Sequence, residues 1–448
     1  MNKLPNLSLC ALWNISFGFF GVQVAYALQS ANISRIFTIL GSDPHNLSYF
    51  WILPPLAGII VQPIVGILSD RTWTPLGRRK PYLIIGSLIA VIIMLLLPNA
   101  GSFGLAATYA MLFGAISLML LDTSINIAMQ PFKMMVGDMV NEKQKKIAFS
   151  IQSFLCNAGS LIGYLFPFIF SFLGVSNVAP VGEVPDSVIY SFYIGALILM
   201  LCVFFTSIKV KEYPPCKYMD DNNHGKTDEH YGVWKLLKKA PSTFWTVGLV
   251  QFFCWGAFML MWTYTTGAIA GNVFDSPTIT NSSGMLVLDT SSVEYESAAD
   301  WVGVLFAVQA IGSVFWAMCL PAFKKIKVAY ALSLVLGGVG FISIMYLNDK
   351  YALFFSFLLI SCAWSAMLAI PFTILTNSLN TIRMGTYLGM FNATICLPQI
   401  VAAILGGGVL KMFSSSDKVA PEVNMLTMAG ISLLIGAICV VFIKTKDY

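Results

Sequence analysis

Apolar runs long enough to cross a bilayer recur along the whole 448-residue chain, separated by short polar breaks. A hydrocarbon core about 30 Å thick takes about 20 helical residues to cross. Runs of that length predict spans at residues 9–32, 47–69, 81–100, 104–132, 147–174 and 188–208, then at 243–272, 298–321, 327–347, 351–378, 384–412 and 423–443. The longest polar segment, 209–240, divides these into six and six. The pattern therefore predicts an all-α polytopic membrane protein with twelve transmembrane helices, built as an N-terminal bundle (1–208), a central loop (209–240) and a C-terminal bundle (241–448). A faint repeat agrees with this division: the fourth span ends in Ala128, Met129, Gln130, Pro131, Phe132, and the tenth carries Leu368, Ala369, Ile370, Pro371, Phe372 six spans later.

Composition changes the picture little and removes whole classes of function. Hydrophobic residues make up 57% of the chain and charged ones 10%, which excludes a soluble globular domain and leaves the lipid bilayer as principal solvent. The net charge of +5 gives no support for nucleic-acid binding, because its distribution matters more than its sum. Of the 26 Lys and Arg, only Arg35, Lys350, Lys411 and Lys418 fall outside if the N-terminus is inside. Both termini are thus expected in the cytoplasm, with the first span retained rather than cleaved, in a multi-pass protein of a plasma or bacterial inner membrane. The cysteines lie mostly in apolar runs with no metal-like spacing. Asp220, Asp221, His224, Asp228, Glu229 and His230 in the central loop match no ligand pattern and read as a solvated linker. Val233, Leu236 and Leu237, interleaved with Lys235, Lys238 and Lys239, suit either a short helix on the inner membrane surface or a plain run-in to the seventh span. His45, His224 and His230 are all placed in loops, and no Walker loop, zinc motif or nucleophile elbow is present, so no enzyme is expected.

Chemistry is expected where polar groups are embedded in the apolar runs. Among the 21 acidic residues, Asp122 alone is placed deep in a span, with the others in loops or at helix ends. A charged side chain at the bilayer centre costs at least about 2.5–3.5 kcal/mol, so Asp122 should face a protein-lined pathway. Burial disfavours the charged form of a carboxyl, which suits such a group to taking up and releasing a proton. A carboxyl satisfied by neighbouring hydroxyls or amides, with no part in turnover, is the structural alternative. Asn126, Gln130 and Lys133 follow at offsets of 4, 8 and 11 residues, which puts all four on one helical face. Lys133 marks the inner end of a pathway or simply snorkels to the headgroups. Gln23, Tyr26 and Gln29 (first span), Gln152 (fifth), Trp262 (seventh), Trp364 (tenth), and Asn392 and Gln399 (eleventh) complete a candidate substrate set. Amides exchange hydrogen bonds with sugar hydroxyls and flat rings cover the C–H faces of a pyranose, so the set suits a polyhydroxyl ligand. Any single member serves equally well as an interhelical hydrogen bond.

The turn between the second and third spans holds Gly66, Ile67, Leu68, Ser69, Asp70, Arg71, then Gly77, Arg78, Arg79, Lys80, Pro81. It resembles the cytoplasmic signature of the major facilitator superfamily, in which the glycine lets helices approach and the acid and basic cluster latch the halves in one state. The resemblance implies a gating role for Gly66, Asp70, Arg71, Gly77, Arg78 and Arg79. More narrowly, the chain resembles the sucrose:proton symporters of plants with their animal and bacterial relatives, within the glycoside, pentoside and hexuronide symporters. The likeness rests on Gly21-Val22-Gln23 with Tyr26-Ala27-Leu28-Gln29, on Val61 through Gly66, on Leu121-Asp122 through Asn126 and Pro131 to Asp138, and on Ile370-Pro371-Phe372, Gly389 through Asn392 and Pro398-Gln399. Asp122 falls on the position of that family's proton-coupling aspartate. Lys133 stands where the plant proteins use an arginine, and the seventh span, Trp262 to Ala268, lacks their charged residues.

The resulting expectation is a monomeric proton-coupled symporter that imports a disaccharide such as sucrose or maltose, with no bound cofactor and no metal. A sodium-coupled symporter of the same group, an exporter of another small polar solute and a non-transporting sugar receptor are the rivals. Sodium coupling calls for several embedded carboxylates, and the spans show one.

Overall fold

The computed structural model describes residues 5–72, 74–213, 240–280, 286–378, 390–414 and 418–443. Among these are twelve helical stretches long and apolar enough to cross a membrane. The first half comprises α1 (Leu9–Ile39), α2 (Pro44–Phe50), α3 (Leu53–Arg71), α4 (Lys80–Leu96), α5 (Ala107–Met139), α6 (Glu142–Phe172) and α7 (Asp186–Lys209). The second comprises α8 (Ser242–Asn272), α9 (Val293–Cys319), α10 (Ile326–Ser343), α11 (Leu353–Ser378), α12 (Ala393–Phe413) and α13 (Val423–Cys439). The short α2 and the longer α3 together form the second span.

Helix is the only open-chain element that satisfies its own backbone in lipid, and the sequence supplies starts for it. Ser8 and Asn141 cap α1 and α6 with their side chains, and Asp43 and Ser292 do the same for α2 and α9. Pro131 and Pro371 stand inside α5 and α11, so the Pro-Phe repeat falls on matching helices of the two halves.

Packing repeats the same plan. In the first half α1 packs on α6 and α7, α3 on α5, and α4 on α5 and α7. In the second, α8 packs on α12 and α13, α9 on α11, and α10 on α11 and α13, each pairing reproduced six spans later. The halves meet where α6 lies against α9 and where α12 lies against α2 and α3, a symmetric pair of contacts. Gly303 permits the first of these, since a Cβ there would run into the Tyr164 carbonyl oxygen. Large apolar side chains such as Ile92, Leu197, Phe315 and Ile438 stay exposed on the outside, as a lipid-facing belt requires.

Several span ends differ from the hydropathy reading, and two of these shifts involve buried charges. The first span runs on to Ile39, and the eighth begins at Val293. Arg35, Glu296 and Asp300, expected in loops or at helix ends, therefore lie within helices, where Arg35 pairs with both acids in place of water. His45, expected in a loop, sits on the short α2. The polar segment 273–297 contains a two-stranded hairpin, β1 (Thr278–Thr280) antiparallel to β2 (Leu286–Leu288). The proposed surface helix around Val233 to Lys239 lies outside the described residues, as do His224, His230 and the acidic residues beside them.

Candidate functional site

Asp122 sits midway along α5, 2% exposed, with its carboxylate turned toward protein. Asn126, one turn on, donates Nδ2 to Asp122 Oδ2 at 2.7 Å, and Gln29 of α1 donates Nε2 to Oδ1 at 3.2 Å. Gln62 of α3 completes the chain by donating to Asn126 Oδ1 at 2.7 Å. Three helices thus hold one carboxylate through neutral amides. Among the described residues Asp122 makes no ion pair. The part of Gln62 in this chain depends on α3 packing against α5, which no local pattern reveals.

The opposite half comes close at the same depth. Cys396 of α12 approaches Gly58 of α3, with Sγ 3.8 Å from where a Cβ at Gly58 would lie. Tyr26 of α1 and Cys396 of α12 both lie near Asp122. The carboxylate therefore belongs to the first half yet lies near its boundary with the second.

Toward the end of the bundle opposite the termini, aromatic rings close the boundary. Trp262 of α8 stacks on Trp51, centroids 6.3 Å apart, and meets Trp364 of α11 edge-on at 5.8 Å. Ser34 of α1 ties the halves further, donating to the Trp262 carbonyl at 2.9 Å and accepting from Trp51 Nε1 at 2.9 Å. Beyond this layer Arg35 reaches across to α9. Its Nε donates to Glu296 Oε2 at 2.7 Å and its Nη1 to Asp300 Oδ1 at 2.8 Å, while Asn177 accepts from Nη2 at 3.1 Å. All three charged groups are buried, so this is a desolvated lock between halves. The sequence signal missed here is the coincidence of one cation and two acids at matching helix ends.

The remaining candidates divide. Gln23 accepts from Ser160 at 3.4 Å, and Gln152 donates to the Phe132 carbonyl at 3.2 Å, both within the first half. Gln130 and Gln399 are half-buried, and Asn392 points its amide at Cys396 Sγ, 3.9 Å away. Tyr26 thus lies near Asp122, Trp262 lies on the boundary against Trp51, and Trp364 packs behind Trp262 in the second half. Gln23 and Gln152 are engaged in packing.

At the end bearing the termini, the basic cluster is anchored inside its own half. Asp138 of α5 pairs with Arg78 Nη2 at 2.6 Å and with Arg79 Nε at 3.1 Å, and Arg79 also donates to Ser69. Glu212, just beyond α7, accepts the backbone N–H groups of Arg78, Arg79 and Lys80 at 2.9–3.1 Å. This seats a carboxylate on the N-terminus of α4, where the helix dipole favours it. Gly77 makes the seat possible: its φ is +113° and any Cβ would collide with the Glu212 carboxylate. Gly66 lies close to Met134, consistent with tight packing of α3 on α5. The side chains of Asp70, Arg71 and Lys133 lie outside the described residues.

Residues 16–271, more than half of the chain, match the family described as MFS/sugar transport protein. The chain belongs to that family. It is 27% identical to a general alpha-glucoside permease of Schizosaccharomyces pombe, over 59% of this chain and 49% of the permease. It therefore spans about half the length of that relative. It is 22% identical to sucrose transport protein SUT5 of Oryza sativa subsp. japonica, over 89% of this chain and 81% of that one. The nucleoside transporter NupG superposes with a TM-score of 0.68 at 15% identity, covering 98% of this chain and 99% of its own, which shows the shared fold. A multi-pass membrane protein of a transport family, rather than an enzyme family, agrees with the sequence reading.

Proposed function

We propose that this family member is a proton-coupled sugar symporter that imports a disaccharide by alternating access, with both termini in the cytoplasm. The observation that carries the reading is Asp122, a buried carboxylate held by the amides of Gln29 and Asn126 at the boundary of the halves. A carboxylate without a cation nearby gains most from binding a proton, and its amide partners keep it oriented in either state. Trp262 and Trp364 offer ring faces to a pyranose, while Tyr26 and Asn392 offer hydrogen bonds to its hydroxyls. The alpha-glucoside permease and the sucrose transporters among the relatives support a glucoside as cargo.

In the cycle, Asp122 takes up a proton from the outer side, sugar binds beside it, the halves rock, and water from the inside releases the proton. One proton moving through 100 mV supplies about 2.3 kcal/mol, or about 50-fold accumulation. The test is uptake of a disaccharide panel into proteoliposomes under an imposed pH gradient. Native protein is expected to concentrate a glucoside, and Asp122→Asn to equilibrate it without concentrating it. Native-like accumulation by Asp122→Asn rejects Asp122 as the coupling group, and accumulation driven only by a sodium gradient rejects the proton.

A further inference from the structure

Between the Trp51–Trp262 layer and the β-hairpin lies a cavity of about 160 Å³, opposite the termini and lined by both halves. Ser34, Thr38 and Asp43 line it from the first half, and Thr266, Tyr295 and Glu422 from the second. The hairpin covers it through Ile279, Val287 and Leu288.

Glu422 stands out among these residues. It is 7% exposed, and among the described residues its carboxyl group has no hydrogen-bond partner and no ion-pair partner. It occupies the N-cap position of α13 without a side-chain hydrogen bond to that helix. The carboxyl group instead fits against Gly267 of α8, where any Cβ would overlap it. A glycine notch, a cavity and an unpartnered buried acid together form a built site.

We propose that Glu422 is a proton-binding site of this cavity, loaded when the two halves close over it and emptied when they part. Burying an unpaired carboxylate is unfavourable, and a bound proton removes the charge. Asp43 is the charged neighbour that acts on it, and the nearby cations are engaged elsewhere or line the adjoining cavity. Asp43 faces it across the cavity, already engaged with His45 through Nδ1 at 2.6 Å. Tyr264 of α8 and Tyr295 of α9 are neutral neighbours. Arg35 is committed to Glu296 and Asp300, and Lys411 and Lys418 line the adjoining cavity with His45. Burial first, and then the charge of Asp43, push the Glu422 carboxyl up to about 8. When the halves separate, hydration returns it toward the ordinary glutamate value of about 4.3. Closure therefore takes up a proton between those two values. It is strongest in acid, weakens by at most about tenfold per pH unit as pH rises through the window, and levels off above it.

This site is distinct from Asp122, and the experiment separates them. Spin labels at Val178→Cys and Val293→Cys, exposed positions on the two halves, report the closed-to-open ratio from pH 5 to 9 in proteoliposomes with equal pH on both sides. The measurement is made in the Asp122→Asn background with native cysteines replaced. The ratio is expected to rise on acidification. Glu422→Gln should hold the cavity closed without pH response, and Asp43→Asn should move the midpoint to lower pH. An unchanged pH response in Glu422→Gln overturns the proposal, as does closure that follows sodium at fixed pH. Should Glu422→Gln fail to fold, pH-difference infrared spectroscopy of the otherwise native pair decides. A protonated-carboxyl band that titrates with closure supports the site, and its absence rejects it.

Discussion

At the scale of single residues, the charges that matter are those whose partners lie far away in the chain. Arg35 and Glu296 are separated by 261 positions, yet with Asp300 they form one buried cluster. The cluster has one cation and two acids, so its members are not equivalent. Arg35→Leu leaves two facing acids with no counter-charge and is expected to cost about 3–5 kcal/mol, read as lost thermal stability or as parting of the halves. Glu296→Gln leaves a balanced Arg35–Asp300 pair and should be much milder. Adding Glu296→Gln and Asp300→Asn to Arg35→Leu should restore most of the loss; a triple variant as unstable as Arg35→Leu would show that packing, not charge, sets the effect. The burial of Asp122 within a span, by contrast, was legible from sequence alone, because an acid within an apolar run is a local anomaly. Glu422 was not, because its position just before the last span looks like an ordinary helix start.

Helices and turns show which local rules held. Hydropathy located all twelve spans, since crossing lipid demands a run of apolar residues whatever the tertiary contacts. It misplaced the ends of α1 and α9 because paired charges can extend a helix past the last apolar residue. At the α3–α4 turn, the glycine and basic residues were legible, but the seated carboxylate of Glu212 was not, since it comes from beyond α7. Gly77→Ala must adopt a left-handed backbone and displace Glu212, a cost of about 1–3 kcal/mol. A matching fall in the melting temperature of the solubilised protein is the expected reading, and Glu212→Gln should lose part of the same stability. If Gly77→Ala melts with the native protein, the seat contributes nothing.

For the whole molecule, the contacts between halves decide which way it is open. The Arg35 cluster, the Trp51–Trp262 stack and the Gly303 crossing all hold the halves together on the side away from the termini. A larger side chain at Gly303 should therefore part them there: Gly303→Val is expected to raise the labelling rate of Trp262→Cys by a membrane-impermeant thiol reagent, with sugar uptake reduced. An unaltered labelling rate would mean that this crossing does not hold the far end shut. By itself the sequence determined the membrane class, the count of spans, the two-half plan and the one acid in mid-span, because each follows from how a short stretch of chain partitions between water and lipid. The tertiary structure alone decided the Arg35 lock, the amide chain through Gln62 and the cavity around Glu422. Those depend on which helices become neighbours, and that is fixed by packing between segments hundreds of residues apart.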